Sequence, residues 1–239
     1  PLSKMSPAEL REKWRKSGVH SIGVIRFQQK KYPDAAKAWK RYIAQFPNGP
    51  HWSASQSGIV NAQFQIGVEA VAEKDYALAR REFNEFLQKH PLDSRARQIL
   101  FTLGQIHSSE AQKLEKEKGD AKEIRKAYEA SIDEWSKLVS KYPNTEESSH
   151  ALYRVGLIHE EKIGDLEKAL DAYRRLRWGS KHSYARSRIG VMTQKRLRLQ
   201  VERKFRTNEE AKVKVNVRNI EKLTLKQYFL DLKAYFHKV

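Results

Sequence analysis

Cysteine is missing altogether from the 239 residues. Disulfides, thiol nucleophiles and thiolate metal sites are thereby excluded, while the compartment stays open, because exported and cytosolic chains alike can do without cysteine. Long apolar runs are missing too. Nothing approaches the roughly 20 residues that a helix needs to cross a bilayer, although a 39% hydrophobic content is enough to build packed cores. The usual signatures of chemistry are also absent: there is no glycine-rich phosphate loop and no Gly-x-Ser-x-Gly elbow, and His159-Glu160-Glu161 lacks the second histidine of a zinc-protease helix. The eight histidines are scattered, and His107 and His159 read as packing or surface residues rather than ligands. Paired acids such as Glu146-Glu147 and Glu160-Glu161 read as solvated or helix-end charges. No catalytic residue, metal ligand or cofactor is expected, and the chain is predicted not to be an enzyme. It opens at Pro1 with no initiator methionine or signal peptide, which predicts a processed or excised piece.

Acidic residues are scarce beside basic ones, 29 against 47, and the formal net charge of +18 is unevenly spread. From Arg174 to Val239 there are 19 Lys and Arg against 5 Asp and Glu, a net of +14, which leaves +4 for everything before. A nearly balanced body is followed by a strongly basic tail.

What the body does contain is repetition. The stretch from Asn61 to Pro91 reads as a helical hairpin: Phe64, Ile66, Val68, Ala70 and Val71 form one apolar stripe, Lys74-Asp75 breaks it, and Tyr76, Ala79, Phe83, Phe86 and Leu87 form a second that Pro91 ends. Tyr76, Ala79, Phe83 and Pro91 stand at offsets 0, 3, 7 and 15. The same offsets recur in Tyr32, Ala35, Trp39 and Pro47, and in Tyr128, Ser131, Trp135 and Pro143. A weaker copy has Leu166, Ala169 and Tyr173, with Lys181 in the proline place. The first helices carry a branched residue before glycine in Ile22-Gly23, Ile66-Gly67, Leu103-Gly104 and Val155-Gly156. Four units follow, at about 14–47, 60–91, 97–143 and 149–180.

Two irregularities stand out. Gly104 lies 24 residues before Tyr128, where Gly67 lies 9 before Tyr76. The extra 15 residues are charged and helix-forming, predicting two lengthened helices with Lys118-Gly119-Asp120 at their tip. The interhelix turn of the last unit, Lys162-Ile163-Gly164-Asp165, is one residue longer than in the second. An entry helix is expected over Ser6–Lys16, ended by Lys16-Ser17-Gly18, and a capping helix from His182 to about Gln194.

After residue 195 the period becomes two. Leu197, Leu199 and Val201, then Val213, Val215 and Val217, then Leu223 and Leu225 alternate with polar residues, predicting an antiparallel meander with an apolar and a basic face. Arg206–Glu210 and Asn219–Glu221 would be its turns, and Tyr228–Phe236 would continue it. The expected division is an α-solenoid over 1–195 and a β segment over 196–239.

The repeated columns resemble the tetratricopeptide repeat, whose unit has glycine in its first helix, alanine and an aromatic in its second, and a closing proline. KYPNTEESSHAL and QFPNGP are similar to segments of bacterial cell-envelope members of that family. The resemblance implies a mainly α fold, a right-handed solenoid, and a periplasmic or envelope location. It further implies a concave groove that binds a protein or peptide segment, lined by His20, Phe64, Val68, Phe101, Gln105, Tyr153 and Leu157, with Asn61, Gln98 and His150 flanking. The same rings could instead pack inside the solenoid. FRTNEEAKVKVNVRNIEKLTLKQYFLDLKAYF resembles the opening strands of an α-2-macroglobulin-like domain, implying that the chain is the N-terminal part of a larger protein of that kind.

A rival expectation comes from the tail. Arg174, Arg175, Arg177, Arg186, Arg188, Arg196 and Arg198 could bind a polyanion, such as nucleic acid, an acidic glycan or a phospholipid headgroup, by charge alone. The strands carry no aromatics interleaved with these cations, which argues against nucleic acid. An incomplete sheet with open edges predicts tail-mediated self-association.

Overall fold

The computed structural model describes residues 5–201, 205, 209–210, 212–226 and 228. The chain divides into two compact units, residues 1–182 and 183–239.

The first unit is a succession of helix pairs: α1 (Pro7–Gln28) with α2 (Tyr32–Gln45), α3 (Trp52–Ala72) with α4 (Tyr76–Lys89), α5 (Ala96–Lys116) with α6 (Ala121–Lys141), and α7 (Glu146–Ile158) with α8 (Leu166–Arg175). Local chemistry fixes their ends. Ser6 and Glu9 form a capping box at α1, with Pro7 in its first turn, and Thr145 and Ser148 do the same at α7. Asp75, Asp120 and Asp165 cap α4, α6 and α8 by accepting from backbone amides of the first turn. Pro47, Pro91 and Pro143 each stand one residue beyond the C-caps Phe46, His90 and Tyr142. Within the hairpin turns, Lys30, Lys74 and Lys118 adopt the left-handed conformation at φ 60°, 63° and 55°, and Gly164 does so at 79°. This conformation turns the chain sharply between antiparallel helices, and only the fourth turn meets it with the residue that suits it best.

The glycine column is the device that sets the spacing of each pair. A Cβ on Gly23 would lie 2.4 Å from the Trp39 indole, on Gly67 2.4 Å from Phe83, on Gly104 2.3 Å from Trp135 and on Gly156 2.3 Å from Tyr173. In all four hairpins the aromatic therefore rests on bare backbone of its partner helix. Trp39 meets a second glycine, Gly58 of α3, which seals it between the first two pairs. The core continues without a break from α3 and α4 into α5, with Phe64, Phe83 and Phe86 packed on Ile99, Leu103 and Ile106.

The third pair is lengthened as its sequence predicts. Counted from the glycine column to the tyrosine column, the extra residues divide into seven at the end of α5, one in the turn and seven at the start of α6; α5 is still no longer overall than α3, 21 residues each, because it begins nearer its glycine. The fourth pair absorbs its single extra residue differently: α7 passes into a π-helical turn, His159–Ile163, before Gly164 reverses the chain.

One expectation is corrected here. The chain does not stop at Lys16-Ser17-Gly18, since α1 runs unbroken to Gln28. A single exposed glycine costs a helix only about 1 kcal/mol, and Ser17 and His20 on this stretch are held by contacts to His51 and Ser55.

In the second unit, α9 (His182–Thr193) is followed by β1 (Arg196–Val201) and β2 (Val213–Arg218). The division at 182/183 groups α9 with the strands, where periodicity predicts a break at 195/196. The strands pair antiparallel from Arg196↔Arg218 to Val201↔Val213. This register puts Leu197, Leu199, Val201, Val213, Val215 and Val217 on one face, and Arg196, Arg198, Gln200, Lys214, Asn216 and Arg218 on the other. The third strand expected at 222–226 is not formed, for those residues carry no ladder. Alternation fixes the side on which each residue would fall, but it does not supply a partner strand to bond with. The continuation over Tyr228–Phe236 lies outside the described residues except for Tyr228.

Candidate partner-binding groove

The residues expected to line a groove do not form one continuous ladder. They fall into separate settings along the first helices of the pairs. At α1, His20 is half-buried: its Nδ1 lies 3.0 Å from Ser55 Oγ, and its ring stacks on His51 with centroids 4.6 Å apart. It is a junction residue between the first two pairs.

Between the second and third pairs, Phe64, Val68 and Gln105 come together with Gln98 and Thr102 around a cleft of about 170 Å³. Phe64 is 8% exposed and belongs to the core, whereas Val68 is 37% exposed. Arg95 lies over the Phe64 ring at 5.3 Å and the Phe86 ring at 5.1 Å. Asn61, expected to be available to a partner, accepts from Arg95 at 2.8 Å. Arg95 also donates to Asp93 at 2.7 Å and holds its carboxyl down to about 2.

Between the third and fourth pairs, Phe101 packs on Trp135 and His150 at 6.1 and 6.3 Å. Tyr153 packs on Tyr173 at 5.8 Å. His150 is engaged as well, 3.1 Å from both Glu146 and Ser180. Leu157 opens into a second cleft of about 130 Å³, which also takes in Ser108, Gln112, Tyr128, Arg154 and Lys162. Sequence reasoning missed the last three of these. Tyr128 had been placed only in the repeated column, and Arg154 and Lys162 follow no periodic signal.

Electrostatics adds two further observations. Lys162 donates to Glu115 at 2.7 Å, and that hydrogen bond lowers the Glu115 pKa. Burial lowers His20, assisted by His51, and burial likewise lowers His159. A histidine whose folded pKa is depressed binds protons more readily when unfolded, so its contribution to stability is present above the unfolded value of about 6.5 and falls as the pH drops below it. The melting temperature is expected to decline between pH 7.5 and 5.5, and to decline less in a His20→Gln/His159→Gln double variant. Parallel melting curves for the two proteins would show that these imidazoles do not carry the effect. The Asp93 contribution lies elsewhere, complete above about 3.8 and lost only as the pH falls through about 2.

The seven tail arginines belong to both units. Arg175 lies 3.5 Å from Asp171, Arg177 donates to the Arg174 carbonyl, and these three end the first unit. Arg186, Arg188, Arg196 and Arg198 belong to the second, the last two sharing the polar strand face with Lys214 and Arg218.

The glycine column, the aromatics resting on it and the closing prolines thus recur in register along the first unit. A family model described as YfiO, outer membrane lipoprotein, matches residues 13–173, well over half of the chain. The chain belongs to the YfiO family. The match spans the helix pairs into α8, so the expectation of a cell-envelope protein built from helical repeats holds at the level of the family. It ends before the strands, and the α-2-macroglobulin-like continuation draws no support from it. No curated protein matches the sequence. Among the described residues there is no group of His, Cys, Asp and Glu side chains that could hold a metal, and no helix long and apolar enough to cross a membrane.

Proposed function

We propose that this YfiO-family chain is a non-catalytic scaffold of the cell envelope that holds an extended or helical segment of a partner protein along its first-helix face. The observation that carries this reading is the pair of clefts at successive joints of the stack, one at Val68 and Gln105 and the next at Leu157. Each is floored by aromatics that the core already holds rigid, so a bound segment would order little of the host. The two clefts stand at successive joints, which suits a chain laid across them.

The test is a selection of peptides from a random display library on the whole chain, followed by affinity measurement on variants. Phe64 is unsuited to this purpose, because truncating a core residue would confuse binding with folding. Val68→Asp with Gln105→Lys changes the accessible part of the first cleft and is expected to weaken the selected peptides at least tenfold, with the melting temperature unchanged. Peptides that bind this variant undiminished would overturn the reading. Enrichment of acidic runs whose binding is lost in Arg196→Glu/Arg198→Glu would do so as well, and would favour the polyanion alternative on the basic strand face.

A further inference from the structure

The two places where the chain departs from its own repeat meet each other. Glu115 lies on the seven residues added to α5, and Lys162 lies in the π-helical turn that absorbs the extra residue of the fourth pair. Their 2.7 Å bond closes one side of the cleft of about 130 Å³ between the third and fourth pairs. A regular repeat at either position would leave this ion pair unmade. π turns interrupt a helix at some cost and concentrate at functional sites.

Inside this frame stand two donors without a well-formed hydrogen bond, and the Glu115 carboxylate near the first of them is engaged by Lys162. Tyr128 is 2% exposed and lines the cleft, yet its hydroxyl is buried without a hydrogen-bond partner. Lys162 Nζ stands 5.6 Å from the centre of its ring. Buried hydroxyls are nearly always paired in folded proteins, so an orphan is a specific feature to be explained. Arg154 is the second donor. Its guanidinium lies 5.8 Å from the rings of both Phe101 and Trp135 and makes no ion pair among those of the described residues. It thus lies over two aromatic rings with its fork of N–H groups unspent. Ser108 and Gln112 line the cleft from α5, and Glu161 lines it from the π-helical turn.

We propose that this cleft is a receptor for one acidic side chain, an Asp or Glu of the partner segment. Its carboxylate would accept from the Arg154 guanidinium and the Tyr128 hydroxyl while its methylenes lie on Leu157 and the Trp135 ring. The volume matches a single side chain rather than a small-molecule cofactor, whose pockets run to several hundred Å³. A carboxylate satisfies both donors at once, and a charge-assisted hydrogen bond to guanidinium is the strongest contact such a site can make. Lys162, neutralised by Glu115, shapes the cleft and leaves Arg154 to supply the charge. This assignment rests on the groove reading, since it takes the occupant to be part of a segment lying on the first helices.

The experiment titrates the whole chain with N-acetylglutamate amide, following amide and indole N–H resonances in two-dimensional NMR. Saturable shifts are expected at the Trp135 indole N–H and at amides 154–162, with a dissociation constant in the millimolar range proper to one contact. The glutamine analogue and the Arg154→Gln variant should each bind at least fivefold more weakly. Tyr128→Phe separates a binding role from a structural one: it should weaken binding about threefold while changing the melting temperature little, because in the free chain the buried hydroxyl makes no well-formed hydrogen bond. Shifts that do not saturate, an equal response to the glutamine analogue, or full binding in both variants would overturn the proposal. So would tighter binding of N-acetylalanine, which would make the cleft a seat for a chain terminus. Groove-dependent peptides from the display selection that lack any acidic residue would also sink it, while leaving the scaffold reading intact.

Discussion

Gly104→Ala is expected to destabilise the chain by about 3 kcal/mol, at the upper end of what an added methyl costs a packed core. The reason is distance. The new Cβ would stand 2.3 Å from Trp135 Nε1 and 2.5 Å from its Cδ1, and the indole is fully buried, so it has nowhere to swing. Helix α5 would have to withdraw from α6, or the ring from its seat. The same substitution at Gly18 is expected to have the opposite sign. Gly18 lies inside α1 with nothing within 4 Å of its Cβ position, so alanine would there contribute only its better helix propensity, about 1 kcal/mol of stabilisation. Urea melts of the two variants against the parent check both signs together. If Gly104→Ala were as mild as Gly18→Ala, the glycine column would be a coincidence of sequence and not what sets the helix spacing. A partial recovery is expected when Gly104→Ala is combined with Trp135→Leu, because the smaller side chain vacates the contested space, and a double-mutant cycle should show the coupling.

The glycine column was legible because its cause is local and repeated. A glycine in one helix followed by an aromatic in the next means little once, but four such pairs, each holding the same place in its hairpin whatever the length of the turn between, imply one packing geometry. The lengthened third pair was legible for a similar reason, since insertions into a repeat are measured against the other copies. What stayed hidden shares a different character. The single extra residue of the fourth pair could be counted but not placed: a longer turn and a π-helical turn have the same length in sequence, and only the packing of α7 decides between them. Arg154 was invisible as a site residue because its partners are two ring faces of the preceding pair, contributed from positions 53 and 19 residues away in no fixed period. The split of the expected groove into two clefts has the same origin. Phe64 and Phe101 occupy equivalent places, yet Phe64 is closed over by Arg95, itself anchored on Asp93 and Asn61, while Phe101 is covered by Arg154 with no such anchor. A column of aromatics in sequence therefore says which rings share a level of the stack, and the neighbours decide which of them a partner could touch. The strands show the limit from the other side, where alternation at Leu223 and Leu225 was as regular as in β1 but no ladder forms.

Trp135→Ala is expected to be the most damaging single truncation in the third pair, at about 3–5 kcal/mol, the range for emptying a buried aromatic site. Two things are lost besides volume. The indole N–H donates to the Phe101 carbonyl at 3.0 Å, and that carbonyl would lose its side-chain donor. The ring is also the floor on which Arg154 rests, so the cleft of the fourth pair should lose its shape along with the third pair's core. The corresponding residue of the first pair gives the control. Trp39 stands on Gly23 as Trp135 stands on Gly104, but its indole nitrogen is buried with no hydrogen-bond partner. Replacing each by phenylalanine removes similar surface, yet at Trp39 it also removes an unsatisfied buried donor, which relieves a cost that Trp135→Phe does not. Trp135→Phe is therefore expected to cost about 1 kcal/mol more than Trp39→Phe, measured as the difference in free energy from denaturant midpoints at equal slope. Equal costs would mean that the Phe101 bond adds nothing to the packing of the ring. Because each pair touches chiefly its neighbours, the loss in Trp135→Ala should also be uneven along the chain. Hydrogen exchange is expected to quicken in α5–α8 and to change least in α1 and α2, and uniform acceleration across all eight helices would show instead that the stack opens as one unit.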